Sequence, residues 1–91
     1  MAAIFITYDL KSKEKDYEGV IEAIKESSEH WTHYWDSAWL IKSSSTVDEI
    51  TDKIKPHLEK TDTLLVIEVK KNYQGWLEEK RWKKIREDIF G

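Results

Sequence analysis

The chain opens on a run of apolar and β-branched residues, Ala3, Ile4, Phe5, Ile6, Thr7 and Tyr8, which Asp9 ends before a polar, charged segment. Such a run fits a half-buried strand. Ser12 stands where it can cap a following helix, whose apolar residues Tyr17, Val20, Ile21 and Ile24 share one stripe. Glu18, Glu22, Lys25 and Glu26 lie mostly outside that stripe. Gly19 lowers helix propensity, so the stripe carries the assignment. Between Trp31 and Lys42 the period becomes two. Trp31, His33 and Trp35 alternate with Thr32 and Tyr34; after Asp36 and Ser37, Ala38 and Leu40 alternate with Trp39 and Ile41. Two strands in a tight hairpin are predicted, with a turn that lacks glycine.

Thr46 and Glu49 have the spacing of a capping box, in which each side chain satisfies the other's backbone N–H. They open a helix with Val47, Ile50, Ile54 and Leu58 on its apolar stripe, and Pro56 should kink or tighten its last turns. Thr63–Val69 has five apolar residues in seven, the mark of a buried central or near-central strand, with Glu68 as the exception. From Leu77 onward Trp82, Ile85 and Ile89 form a helical stripe with Phe90 beside it. The spacing of Glu78 with Trp82 and of Glu79 with Lys83 suits a surface helix. The order is strand, helix, strand, strand, helix, strand, terminal helix. Two similar strand–helix–strand halves in one antiparallel sheet predict an α+β, ferredoxin-like βαββαβ sandwich with an additional C-terminal helix. Helices then cover one sheet face, and a homodimer joined across sheet faces or edges would hide the other.

With 91 residues the chain is read as one domain, a core over 3–70 and a helical extension over 76–90. Absence of cysteine removes disulfides, thiolate metal sites and a cysteine nucleophile. No stretch approaches membrane-spanning length and no basic region leads into a long apolar segment, so a soluble, cytoplasmic protein without a membrane role is expected. The net charge of −3 argues against a strongly basic nucleic-acid binder, but the charge is uneven. Residues 1–69 carry 8 Lys or Arg against 14 Asp or Glu, whereas residues 70–91 carry 7 against 4. Attraction for phosphate would concentrate in the tail. Five tryptophans exceed what so small a core easily absorbs, and some are expected at an interface.

Candidate chemistry is sparse. Asp9, at the C-terminal end of the first strand, is the best candidate; as a residue it serves equally as a cap, a metal ligand or a dimer contact. Asp36 reads as a hairpin residue or a further metal ligand. His30 and His33 lack the third ligand that zinc needs. His33 or His57 would suit a general base that takes a ribose 2′-hydroxyl proton, or a structural role. No nucleophile elbow surrounds any serine, and no glycine-rich phosphate loop is present. Lys80, Arg81, Lys83 and Lys84, interspersed with Trp76 and Trp82, can follow a nucleic-acid backbone and stack a base, or else be the solvated face of a docked helix.

The opening strand Ile4–Asp9, the stretch Asp36–Ile41 and the later Thr61–Ile67 segment, led in by Pro56, His57 and Leu58, carry a resemblance. Over about residues 3–70 the chain resembles the small CRISPR-associated proteins of spacer acquisition, and most of all their stand-alone SinR-like and VapD-like relatives. That resemblance implies a ferredoxin-like homodimer and nucleic-acid processing, as a metal-dependent nuclease or endoribonuclease; the residues themselves leave open a noncatalytic nucleic-acid-binding or protein-interaction module. It implies that Asp9 of each subunit holds one Mg2+ or Mn2+, with Tyr8 supporting the strand end and Ser37 across the sheet near the same site. RNA, DNA or a protein would be the partner.

Overall fold

The computed structural model describes residues 1–12 and 17–91. Its elements are β1 (Ala2–Asp9), α1 (Glu18–Ser27), β2 (His30–Trp35), β3 (Ala38–Ser43), α2 (Val47–Ile54), β4 (Thr63–Val69) and α3 (Glu79–Lys84). A 3₁₀ turn, Lys55–His57, follows α2, and a π-helical turn, Ile85–Ile89, follows α3. The strands form one antiparallel sheet in the order β2-β3-β1-β4, a mixed α/β architecture.

The alternation of β1 sorts the two faces of this sheet. Ile4, Ile6 and Tyr8 point one way and meet Trp39 and Ile41 of β3, Val20, Ala23 and Ile24 of α1, and Ile50 and Ile54 of α2 in one buried cluster. Burying each such aliphatic side chain stabilises the fold by roughly 1.5–3 kcal/mol. Trp39 is only 1% exposed, and its indole N–H donates to the Tyr8 hydroxyl at 3.0 Å, which satisfies the one polar atom the ring brings into the core. Helix α2 has the expected box: Thr46 Oγ1 accepts from the Glu49 N–H at 3.1 Å and Glu49 Oε1 accepts from the Thr46 N–H at 2.9 Å. Those bonds hold the Glu49 carboxyl below its ordinary pKa. Pro56 lies in the 3₁₀ turn, so the helix tightens there as expected.

Three expectations need correction. Helix α1 starts at Glu18 with Tyr17 in the cap position and no capping side chain, and the Ser12 N–H instead donates to the Tyr17 hydroxyl at 3.3 Å. Residues 13–16 of the predicted helix lie outside the described residues. Strand β4 is an edge strand, not a central one. Its apolar residues point to both faces because Leu64 and Val66 pack against the core while Leu65 and Ile67 project from the other side. Glu79 pairs with Arg86 at 2.7 Å and not with Lys83.

The second face is covered in part. Ile85 and Ile89 are buried where the π-helical turn packs across β2 and β3, and they shut in Thr32. The wider turn, closed by the Phe90 N–H donating to the Ile85 carbonyl at 3.0 Å, keeps both isoleucines on the sheet. Nothing comparable covers β1 and β4 on this side among the described residues. Leu65 and Ile67 remain 53% and 45% exposed.

Candidate functional site

Two regions of the second face hold several of the sequence-predicted residues. The first is a groove of about 450 Å³ between the sheet and the tail. Phe5 of β1 and Leu40 of β3, paired in the sheet, form its floor. Its walls are Tyr34 and Trp35 at the end of β2, and Tyr73, Trp76, Trp82 and Phe90 of the tail. Tyr73 stacks on Trp82 at 5.7 Å and on Phe90 at 5.2 Å, and these ring contacts anchor the extended segment before α3. Trp35 is there because the β2–β3 register shifts between Thr32 and Trp35. The strict alternation expected for β2 would have kept Trp35 on the face of Trp31 and His33; the bulge turns it to the other one.

Trp76 is the least buried of the five tryptophans, 98% exposed at the rim of the groove. Arg81 lies on the tail helix α3. Its guanidinium lies 4.2 Å from the Tyr34 ring, and its Nε, closed off from solvent, has no hydrogen-bond partner among the described residues. Lys70 lines the groove and makes no ion pair among the described residues. The remaining cations expected to bind nucleic acid are less committed. Lys80 is 3.7 Å from Glu78, Lys84 is 3.9 Å from Asp88, and Lys83 is exposed; such surface pairs are weak and exchange readily.

The second region is the far end of β1. By the period of two, Phe5, Thr7 and Asp9 share the second face, so Asp9 stands roughly 13 Å from Phe5 at ~3.3 Å per residue. Asp9 is exposed, and its carboxylate meets the Lys11 ammonium at 2.6 Å. That bond raises the Lys11 pKa. Nearby, Asp62 accepts from the Lys11 and Glu59 N–H groups and from the Tyr17 hydroxyl, closing the loop ahead of β4. No set of three His, Cys, Asp or Glu residues among the described residues is placed to hold a metal ion. Within one chain, then, the described residues do not fit a resident Mg2+ or Mn2+: Asp9, the ligand that the resemblance implies, is already paired with a lysine.

The other residues expected with Asp9 are placed elsewhere or act through their backbone. Tyr8 points into the core. The Ser37 carbonyl accepts from the Tyr8 N–H and the Thr7 hydroxyl, each at 3.1 Å, so Ser37 does lie by the end of β1. His33 stacks on Trp39 with centroids 3.8 Å apart, and its Nε2 is 3.1 Å from the Asp36 carbonyl, a structural setting. His57 packs so closely on Gly19 that a Cβ there would collide with the imidazole. Close approach explains the glycine in α1. The reading of the sequence missed Tyr73, Phe5 and Lys70; an aromatic in the segment between β4 and the tail helix was the one available signal. No protein-family model, no curated protein and no solved structure matches this chain.

Proposed function

We propose that this protein is a noncatalytic nucleic-acid-binding module, built on a ferredoxin-like βαββαβ fold with a C-terminal helix, that takes single-stranded RNA or DNA along the second face of its sheet. The strand order β2-β3-β1-β4 and the placement of α1 and α2 against one face support the fold. The observation that carries the function is Trp76, an almost fully exposed indole at the rim of an aromatic groove that Lys70 lines, with the Arg81 guanidinium over the ring of Tyr34 in its wall. Unstacked bases have apolar faces that such rings accept without regard to sequence, and the cations follow the phosphates. The excess of positive charge over residues 70–91, set against the acidic remainder of the chain, directs the strand toward this end.

Fluorescence anisotropy with labelled single-stranded RNA and DNA tests this. Replacing one stacking ring costs about 1–3 kcal/mol, so Trp76→Ala should weaken binding roughly 5- to 150-fold. Lys70→Ala with Arg81→Ala should lower affinity and flatten its salt dependence. Absence of binding at low salt, or binding indifferent to both salt and Trp76, contradicts the proposal. Magnesium-dependent cleavage of the same strands, lost in Asp9→Ala, would replace the module with the nuclease that the resemblance implies.

A further inference from the structure

Beyond β4 the chain makes a tight turn in which the Asn72 N–H donates to the Lys70 carbonyl at 2.7 Å. That turn brings two carboxamides, those of Asn72 and Gln74, into the lining of the aromatic groove. Gln74 Oε1 accepts from the Gly75 N–H at 3.0 Å, so its oxygen is engaged and its NH2 group remains as a donor. The Asn72 carboxamide makes no hydrogen bond among the described residues and keeps a donor and an acceptor side by side. No Asp or Glu lines the groove among the described residues.

Aromatic rings stack any base, so a groove of this kind tells bases apart only at their edges. A carboxamide with donor and acceptor together matches an edge that carries the reverse pair. Adenine has such an edge twice, as N6–H beside N7 and as N6–H beside N1, and asparagine paired to N6 and N7 is a recurrent contact in nucleic-acid complexes. Guanine matches less well. Held through O6 and N1–H, it turns its N2 amino group toward a groove without a carboxylate, and a donor left unpaired costs affinity. Its N7 and O6 call for two donors, the task of an arginine fork, but the Arg81 guanidinium is over the Tyr34 ring. Lys70 is a point charge suited to phosphate. Cytosine and uracil present one matching edge and a smaller ring to stack.

Resting on the strand-binding reading above, we infer that the groove selects an unpaired adenine within a single strand, and that Asn72 reads its edge. The aromatic walls hold the plane of the base. Gln74 adds a donor for the ring nitrogens, and Lys70 takes the adjoining phosphate. Selectivity then comes from the segment between β4 and α3, whereas stacking affinity comes from the rings around it.

Fluorescence anisotropy with labelled uridine hexamers, each carrying one central adenine, guanine or purine without its amino group, tests this selectivity. The three ring systems stack alike and differ at their edges. The adenine hexamer should bind roughly 5- to 150-fold more tightly than the other two, the range expected of one bidentate base contact. Asn72→Leu should level the three, while the far-ultraviolet circular dichroism is unchanged because Asn72 is exposed. Equal binding of the three by wild type overturns the inference and leaves the strand-binding reading in place. So does a preference for adenine that survives Asn72→Leu. Unlabelled AMP that displaces the adenine hexamer at the hexamer's own concentration also overturns it, by assigning a free nucleotide and not a strand. Failure of every hexamer to bind at low salt removes both the selectivity and the strand-binding reading beneath it.

Discussion

The two faces of this sheet are built from the same strands and reach opposite ends of burial. On the first, Ile4, Ile6, Trp39 and Ile41 are sealed beneath α1 and α2, and the one indole N–H has its acceptor. On the second, Ile85 and Ile89 close only the β2–β3 half, and Phe5, Leu65, Ile67 and Trp76 are left half-buried or exposed. A chain this short gains most of its stability from the first face. Apolar residues that persist on the second without burial are best accounted for by what they bind.

Substitutions should therefore cost stability in order of how much buried structure they remove. Trp39→Ala removes the largest fully buried side chain and leaves the Tyr8 hydroxyl without its donor. Unfolding by denaturant should show a loss of about 3–5 kcal/mol. Ile89→Ala unpins the partial cover of the second face; a loss of roughly 2 kcal/mol is expected. Hydrogen exchange should then quicken across α3 before it quickens in β1 or β3. Thr46→Ala breaks the capping box over the first face and should cost about 1 kcal/mol. Glu49 has its pKa lowered in the folded state by that box. Its contribution is thus present above the unfolded carboxyl pKa and lost as pH falls through the lower folded value. Thr46→Ala should flatten that acid limb. Smallest of all, Leu65→Thr should change the stability of a single folded chain by no more than about 0.5 kcal/mol. A loss comparable to that of Trp39→Ala would mean that the second face is core after all.

The first face was legible in the sequence, because periodicity records burial directly. The alternation of β1, the stripes of α1 and α2 and the Thr46–Glu49 box each lie within a few residues, and the structure keeps them. The second face was not legible for equally physical reasons. A bulge without glycine leaves no local mark, so the turning of Trp35 away from Trp31 and His33 was hidden. Apolar residues on both sides of β4 signal two apolar surroundings, and nothing in Thr63–Val69 says whether the second is a neighbouring strand, a helix or another molecule. The tail stripe of Trp82, Ile85 and Ile89 foretold a docked helix but not the face it docks on. At the candidate sites, Asp9 at a strand end was read correctly as a position, while its pairing with Lys11 depends on how the chain leaves β1.

The most direct test of the second face as the binding surface uses the indole N–H signals of the five tryptophans in a nitrogen-15 correlation spectrum, followed as a short single-stranded RNA is added. Signals of Trp76, Trp35 and Trp82 should move together and saturate at one affinity, while that of Trp39, buried and bonded to Tyr8, stays in place. Movement confined to Trp31, on the opposite side of the sheet, or no movement at any concentration of RNA, would contradict the account.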